Sequence, residues 1–172
     1  MAFRLNDDLS PVGSDGDNSE IAELKRCLEN GTPAQQQAAI ERLIELRAES
    51  VLVECLLSQN SVVVRLATGG LWEFWLNEQG HAARREIDKG IKRMNDGDLE
   101  GALETFSKLA KKHPDWAEAH NKQATVLYLL GSARLSYKIC QTVVALKPHH
   151  FGAWNGMAPV VCANLLPTFP LW

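Results

Sequence analysis

The hydrophobic residues of this chain recur every three or four positions along most of its length, which is the spacing of one face of an α-helix. The first such segment is SEIAELKRCLEN, in which Ile21, Leu24 and Leu28 share a face and Ser19 is a suitable N-cap. No stretch shows the strict alternation of polar and apolar residues that marks a half-buried strand. The pattern therefore predicts an all-α chain of about eight or nine helices between Ser19 and Asn164.

Further helical segments follow in the first half of the chain. Pro33 lies in the first turn of the second segment, where its missing N–H costs nothing, and Thr32 is placed to cap it. The fourth segment, SVVVRLATGGLWEFWLNEQG, begins with β-branched residues but keeps helical spacing. Gly69 and Gly70 are each unfavourable inside a helix by roughly 1 kcal/mol relative to alanine, which favours a close crossing by another helix. The third segment is SVLVECLLSQN, with expected packing by Leu52, Val53, Leu56 and Leu57.

The second half of the chain contains a repeated pattern. GDLEGALETFSKLAKKHP begins at Gly97, and GSARLSYKICQTVVALKP begins 34 residues later at Gly131. In such a pattern the glycines end helices, the small residues let helices approach closely, and the prolines stop the second helix of each pair. Phe106 is expected to fill the space between units. The predicted structural repeat positions are Gly90, Gly97, Ala102, Phe106, Pro114, Ala124, Gly131, Ser136 and Pro148.

These positions and their period resemble the tetratricopeptide repeat, a helix–turn–helix unit of 34 residues. The resemblance covers two full units, 83–116 and 117–150, and part of a third at 151–164. Trp154 stands at the position of the family's first-helix tryptophan. The resemblance implies a right-handed α–α superhelix, a helical solenoid whose concave face is lined by the first helix of each unit.

The repeats and the composition divide the chain into four parts. Residues 1–18 are predicted to be a disordered acidic tail, because they are too polar to be buried. Residues 19–80 form a helical N-terminal region that resembles HEAT or armadillo helix pairs. The tetratricopeptide-like region follows at 83–164, and residues 165–172 are an apolar tail. Residues 157–172 contain no charged side chain, so we expect them to fold back over the second unit or to dock on another copy.

The resemblance implies a non-enzymatic protein-interaction module, a scaffold or adaptor that binds a peptide or a helix in the concave groove. Two alternatives stay open: a regulatory subunit of an enzyme, and a homo-oligomer in which another copy completes the truncated third repeat. The predicted groove residues are Ile87, Ile91, Met94, His120, Gln123, Leu127 and Trp154.

Members of the resembled family hold the acidic C-termini of heat-shock chaperones through a carboxylate clamp of lysine and asparagine. The corresponding positions of the first unit here carry Ile87 and Ile91. In the second unit Asn121 falls one place early, and Lys122 stands where the asparagine belongs. The sequence therefore does not favour a receptor for chaperone tails.

The titratable side chains show no catalytic or metal-binding pattern. None of the candidates has an acid or a nucleophile at a spacing typical of a catalytic site. Gly69–Gly70 lacks the G-x-x-x-x-G-K pattern of a phosphate-binding loop. No catalytic residue, cofactor or metal is predicted. The candidates by residue type are Asp88, His113, Asp115, His120, His149 and His150.

The cysteines are also predicted to be structural. They contain no C-x-x-C pair, so we expect small buried hydrophobes in a reducing compartment rather than metal ligands or redox dithiols. They are Cys27, Cys55, Cys140 and Cys162.

The net charge and the hydropathy of the chain exclude some classes of partner and indicate a location. The net charge of −3 and the sequence pI of about 6.0 give no basic footprint for nucleic acid. No run of about 18 apolar residues is present, so no membrane span is expected. The acidic start lacks the features of a targeting segment. A cytoplasmic protein is therefore predicted, with a plastid or another organelle as the alternative if a longer form carries a transit peptide.

Overall fold

A computed structural model of the protein describes the backbone of residues 15–165 and the side chains of residues 19–158. This part of the chain consists of α-helices joined by short loops, with no strand, which confirms the predicted all-α fold. The helices are α1 (Asp15–Asn30), α2 (Pro33–Glu45), α3 (Glu49–Cys55), α4 (Ser61–Asn77), α5 (Gly80–Asn95), α6 (Leu99–Lys112), α7 (Ala117–Leu129), α8 (Ala133–Leu146) and α9 (Phe151–Leu165).

The chain divides into two compact units, Met1–Leu71 and Trp72–Trp172. The boundary lies inside α4, earlier than the boundary predicted from the sequence, which follows that helix. The cause is aromatic packing, because Trp72 and Trp75 both contact His150 in the second unit.

In the first unit, α1 packs on α2 and α2 packs on α3. Helix α1 begins at Asp15, before the predicted cap at Ser19, so the last residues of the predicted acidic tail are helical. Thr32 caps α2 as predicted, since its side chain accepts from the Gln35 N–H while Gln35 Oε1 accepts from the Thr32 N–H at 2.8 Å. Leu57 is 83% exposed beyond the end of α3, so its predicted packing is wrong. The core here includes Leu28, Ala39, Ile40, Leu43, Val51 and Leu52.

The two adjacent glycines of α4 have different surroundings. A Cβ atom placed on Gly70 would lie 2.8 Å from Ile40 Cγ2, whereas a Cβ atom on Gly69 would meet nothing within 4 Å. Ile40 is itself buried, so it has little room to move. The close helix crossing predicted from the glycine pair therefore exists at Gly70 alone.

This difference gives a matched pair of substitutions. We expect Gly69→Ala to raise the free energy of unfolding by roughly 0.5–1 kcal/mol, because alanine restricts the unfolded chain and meets open space. Gly70→Ala should lower it, because its methyl group must displace Ile40 from a close-packed core. Thermal denaturation followed by circular dichroism measures both. If both variants were stabilised equally, the crossing at Gly70 would not be tight.

In the second unit the helices pack in chain order, α5 on α6, α6 on α7, α7 on α8 and α8 on α9. Helix α7 also contacts α5 and α9, so the first helices of successive pairs lie side by side. This is the arrangement of a helical solenoid, in which each pair of helices packs against its neighbours.

The repeat positions have the geometry that their residue types suggest. Gly97 and Gly131 follow α5 and α7 with φ angles of +87° and +77°, in the left-handed region that glycine enters most easily. A Cβ atom on Gly90 would lie 2.5 Å from the Phe106 ring, so glycine is what allows α5 and α6 to approach each other. Pro114 and Pro148 lie just past the ends of α6 and α8. The remaining repeat positions, all buried, are Ala102, Phe106, Ala124 and Ser136.

The two ends of the chain bear on several predictions. Residues 1–14 and 166–172 lie outside the described range, so the disordered acidic tail, the docking of the apolar tail and its role in self-association stay predictions. Helix α9 lies where the sequence predicts the first helix of a third unit, and it continues through Pro159. Among the described helices, none is both long enough and apolar enough to cross a membrane.

Candidate functional site

Residues at the end of α4 contact the residues that precede α7 and α9, the first helices of two successive pairs. The Trp116 indole donates a hydrogen bond to the Trp75 carbonyl at 2.7 Å. The His150 ring stacks on the Trp75 ring, with centroids 4.2 Å apart. Trp116 and His150 lie 34 residues apart, at equivalent places just before α7 and α9, and both are fully buried. Trp75 therefore contacts the same position of two units.

Trp72 also packs against the residues at the start of α9. Its ring packs edge-on to the rings of His150 and Phe151. A Cβ atom on Gly152 would lie 2.5 Å from the Trp72 ring, so only glycine at that position lets α9 come this close.

A buried carboxylate lies next to these aromatic rings. Glu118, in the first turn of α7, is fully buried. Its Oε2 atom accepts a hydrogen bond from Asn121 Nδ2 at 3.1 Å and lies 3.0 Å from His150 Nε2. Its Oε1 atom lies 2.9 Å from Lys122 Nζ, in an ionic contact without hydrogen-bond alignment. These partners compensate the desolvation that a buried carboxylate otherwise suffers.

The hydrogen bonds of His150 link the start of α9 to α7. The Ala153 N–H faces the His150 carbonyl oxygen at 3.0 Å and His150 Nδ1 at 3.3 Å, so Nδ1 is placed to accept. Nε2 is then placed to donate to Glu118. The ion pair of this cluster is Glu118 with Lys122. Lys122 Nζ also lies 5.1 Å from the centre of the Trp72 ring, a cation–π contact.

A cleft of about 130 Å³, named here the α7–α9 cleft, opens beside the buried cluster. Asn121 belongs to both, since it binds Glu118 and borders the cleft. Burial raises the pKa of the Cys140 thiol, and a hydrogen bond with Ser136 opposes this only in part. The thiol is therefore protonated at neutral pH and is a poor nucleophile. The cleft is lined by Asn121, Thr125, Tyr128, Ser136, Cys140, Gly152, Asn155 and Gly156.

The four apolar residues predicted to line the groove of the first helices belong to the core or its edge. Ile87 is fully buried and Leu127 is 9% exposed, so the prediction that they face a partner is corrected. Ile91 and Met94 are half-buried and pack against the core around Phe106.

The three polar or aromatic groove candidates make contacts within the unit. His120 Nε2 lies 3.0 Å from the Pro114 carbonyl oxygen, and Gln123 Nε2 donates to Ser107 Oγ at 3.1 Å. Trp154 is 52% exposed, although its indole N–H donates to the Pro148 carbonyl.

None of the seven predicted groove residues lines the α7–α9 cleft. On α7 the prediction selected His120, Gln123 and Leu127, whereas the cleft is lined by Asn121, Thr125 and Tyr128. The α7 residues that line the cleft are therefore offset by one or two positions from those predicted to line a groove.

The other candidate residues have structural partners. Asp88 accepts from Arg84 Nε at 3.0 Å, and the His113 ring packs edge-on to Trp116. Cys27 and Cys55 are half-buried free thiols, and burial raises the pKa of Cys55. In the part of the chain that the structure describes, no group of three or more potential metal ligands comes together. The side chain of Cys162 lies outside that part.

Sequence reasoning missed the pair of Glu118 and His150, because it searched for partners of His150 at short sequence range. The usable signal is the repeat itself. His150 occupies the place of Trp116 one period later, so it precedes α9 as Trp116 precedes α7. A polar ring at a place where the preceding unit buries tryptophan requires a buried polar partner.

Comparison with known proteins gives a partial likeness. The chain is 35% identical over 60 residues to a protein of Rhizobium etli named as TPR repeat-containing. The match covers 35% of this chain and 29% of that protein, so the chain spans under a third of the relative's length. No family model and no solved structure matches. The likeness agrees with the helical-repeat arrangement of the second unit.

Proposed function

We propose that the chain is a non-enzymatic protein-interaction module that holds a short polypeptide segment at the α7–α9 cleft. The observation that carries the proposal is the cleft itself, an opening on neighbouring first helices that presents Asn121, Thr125 and Asn155. Amide and hydroxyl groups of this kind donate and accept hydrogen bonds, as a peptide backbone requires. The likeness to a protein named as TPR repeat-containing supports the same class of function.

The size of the cleft favours a side chain over a substrate. A volume of about 130 Å³ is well below the roughly 300–1,000 Å³ of pockets that enclose small ligands. Tyr128, 45% exposed, supplies an aromatic surface of the kind enriched at protein interfaces. The cleft therefore suits one anchoring side chain of a peptide whose backbone lies across α7 and α9.

The chemistry around the cleft supports binding over catalysis. Cys140 is protonated at neutral pH, and the carboxylate of Glu118 is fully buried in contact with Asn121, His150 and Lys122. Neither group is poised to attack a substrate or to exchange a proton with one.

The partner is proposed to be an internal segment and not a C-terminal tail. Lys122 and Asn121, the residues near the clamp positions of the second unit, both contact Glu118. A terminal carboxylate would have to displace this buried carboxylate, whereas an internal segment needs no such exchange.

Selection from a displayed library of random peptides tests the proposal. We expect the chain to select peptides with a shared motif, and Thr125→Arg to abolish their binding, because arginine would fill the cleft. Thr142→Arg is the matched control. Thr142 is an exposed threonine on α8 that also donates to the carbonyl four residues earlier, and it does not line the cleft.

Equal binding of the selected peptides by the two arginine variants would refute this location. Failure to select any motif would count against the function as a whole. Sedimentation of the unmodified chain at several concentrations, run alongside, tests the alternative of a homo-oligomer.

A further inference from the structure

A second groove lies between α5 and α6, on the first helix pair, with a volume of about 720 Å³. We call it the α5–α6 groove. Five of its side chains are cationic and two are anionic. Two further acids at its edge, Asp98 and Glu104, contact Arg93 and Lys108, so the cations exceed the neighbouring acids by one. The groove is lined by Glu86, Lys89, Lys92, Arg93, Asp96, Thr105, Lys108, Leu109 and Lys112.

Arg93 is the fixed cation of this groove. Its NH1 group donates to the Gly101 carbonyl at 3.0 Å and to Thr105 Oγ1 at 3.2 Å, so α6 holds the guanidinium in place. Its Nε atom lies 3.8 Å from the Asp98 carboxylate, too far for a hydrogen bond. A guanidinium has five donors, so donors remain for a ligand.

The lysines of the groove are available for exchange. Lys89, Lys92 and Lys108 each pair with an acid three or four residues away on or next to their own helix. These side chains are all more than half exposed, and such surface pairs are weak and screened by salt. A ligand carboxylate can therefore replace the local partner at small cost.

Several of these charges act on the same space. A hydrogen bond from Lys89, and more weakly the charges of Lys89 and Lys112, hold the pKa of Glu86 below its usual range. Lys89 is on α5 and Lys112 is in the last turn of α6, so cations from both walls act on one position. A ligand carboxylate at this position would be attracted by cations of both helices.

We propose that the α5–α6 groove is a second binding surface, which takes an acidic polypeptide segment in an extended conformation. Successive side chains of an extended chain point to opposite sides, so consecutive acids would reach the cations of α5 and of α6 in turn. Leu109, which is nearly buried, provides an apolar floor for the stems of those side chains.

The lining favours a peptide over nucleic acid. No aromatic side chain lines the groove, so bases would have no stacking surface. The net negative charge of the chain would also repel a long polyanion beyond the groove, whereas a short acidic segment stays within it.

Fluorescence anisotropy with a labelled hexaglutamate peptide at low salt tests the proposal on the full chain. We expect Lys112→Glu and Lys89→Glu each to weaken binding about fivefold to tenfold, because each removes an attraction and adds a repulsion. Lys111→Glu is the matched control, since it is an exposed neighbour on α6 with the same change of net charge and does not line the groove. It should weaken binding less than about twofold.

Three further measurements establish where the peptide binds and which chemistry the groove selects. Thr125→Arg should leave hexaglutamate binding unchanged, so the test is independent of the α7–α9 cleft. A labelled hexaglutamine peptide should not bind, and a hexauridylate RNA should bind more weakly than hexaglutamate. Absence of hexaglutamate binding, an equal loss in Lys111→Glu and Lys112→Glu, or tighter binding of the RNA would each overturn the proposal.

Discussion

Phe106→Ala should lower the free energy of unfolding of the second unit by about 3–5 kcal/mol, the range for truncating a buried aromatic residue. Phe106 is fully buried, and its ring is so close to Gly90 that no residue with a Cβ atom fits at position 90. The surrounding helices are held by packing on both sides, so they cannot collapse fully into the space the ring leaves. Because each helix pair depends on its neighbours, the loss should affect both repeats.

Tryptophan fluorescence during denaturation in guanidinium chloride measures this effect selectively, because the tryptophans whose side chains the structure describes all belong to the second unit. They are Trp72, Trp75, Trp116 and Trp154. Leu135→Ala is the matched control, a truncation on α8 of a side chain that is 54% exposed. It should change stability by no more than about 0.5 kcal/mol. An unchanged denaturation midpoint for Phe106→Ala would show that the repeat alignment is wrong.

Glu118→Ala should be destabilising to a similar extent, by about 3–5 kcal/mol, for a different reason. The substitution removes the one anion of the buried cluster. Lys122, whose side chain is only 19% exposed, is left without its counter-ion, and the His150 and Asn121 hydrogen-bond donors lose their acceptor. A buried charge and two unpaired donors cost far more than the methylene groups that are lost.

The chain contains a matched control for this prediction. Glu104 and Lys108 form the same i, i+4 pair on α6, but both side chains are more than half exposed. Glu104→Ala should therefore leave the midpoint nearly unchanged, since exposed pairs contribute little. Glu118→Gln should fall between the two, because it keeps an acceptor for His150 and loses only the charge. If Glu118→Ala were as mild as Glu104→Ala, the cluster would be open to water in solution.

Local features of the fold were predictable from the sequence because their causes are local. The caps and turns at Thr32, Gly97 and Gly131 depend on residues within one turn of each helix. The period also predicted a small residue at Gly90, where two helices cross, and an aromatic residue between units at Phe106. The contact of the Phe106 ring with Gly90, within one helix pair, comes from the structure. A hydrophobic period is sufficient for this level of structure.

The candidate site was less predictable because a helix period does not reveal what covers each face. Helix α7 lies between α5 and α9 and next to α6 and α8, so most of its residues are buried. The choice between Gln123 and Thr125 as the accessible residue depends on a rotation of the helix by less than one turn. That rotation is determined by packing with several neighbours, which the sequence of α7 alone does not specify.

The contacts at the end of α4 were unpredictable for a related reason. The repeat pattern begins at α5 and carries no information on a helix that precedes it. The sequence of α4 shows two tryptophans on neighbouring helix faces, but it does not indicate their partners. Those partners, Trp116 and His150, lie in the repeats. Only the three-dimensional arrangement brings them together.

The bridge made by Trp75 has a consequence for how the second unit folds. An array held only by contacts between neighbouring pairs can form at any point and can fray from either end. Trp75 instead binds Trp116 across 41 residues, and it stacks on His150 at the far side of the array. Forming these contacts requires closure of a long loop, whose entropic cost must be met before the contacts stabilise the chain. These contacts give the unit a higher contact order than an array with neighbouring contacts alone. Its two ends should therefore unfold together and not one after the other.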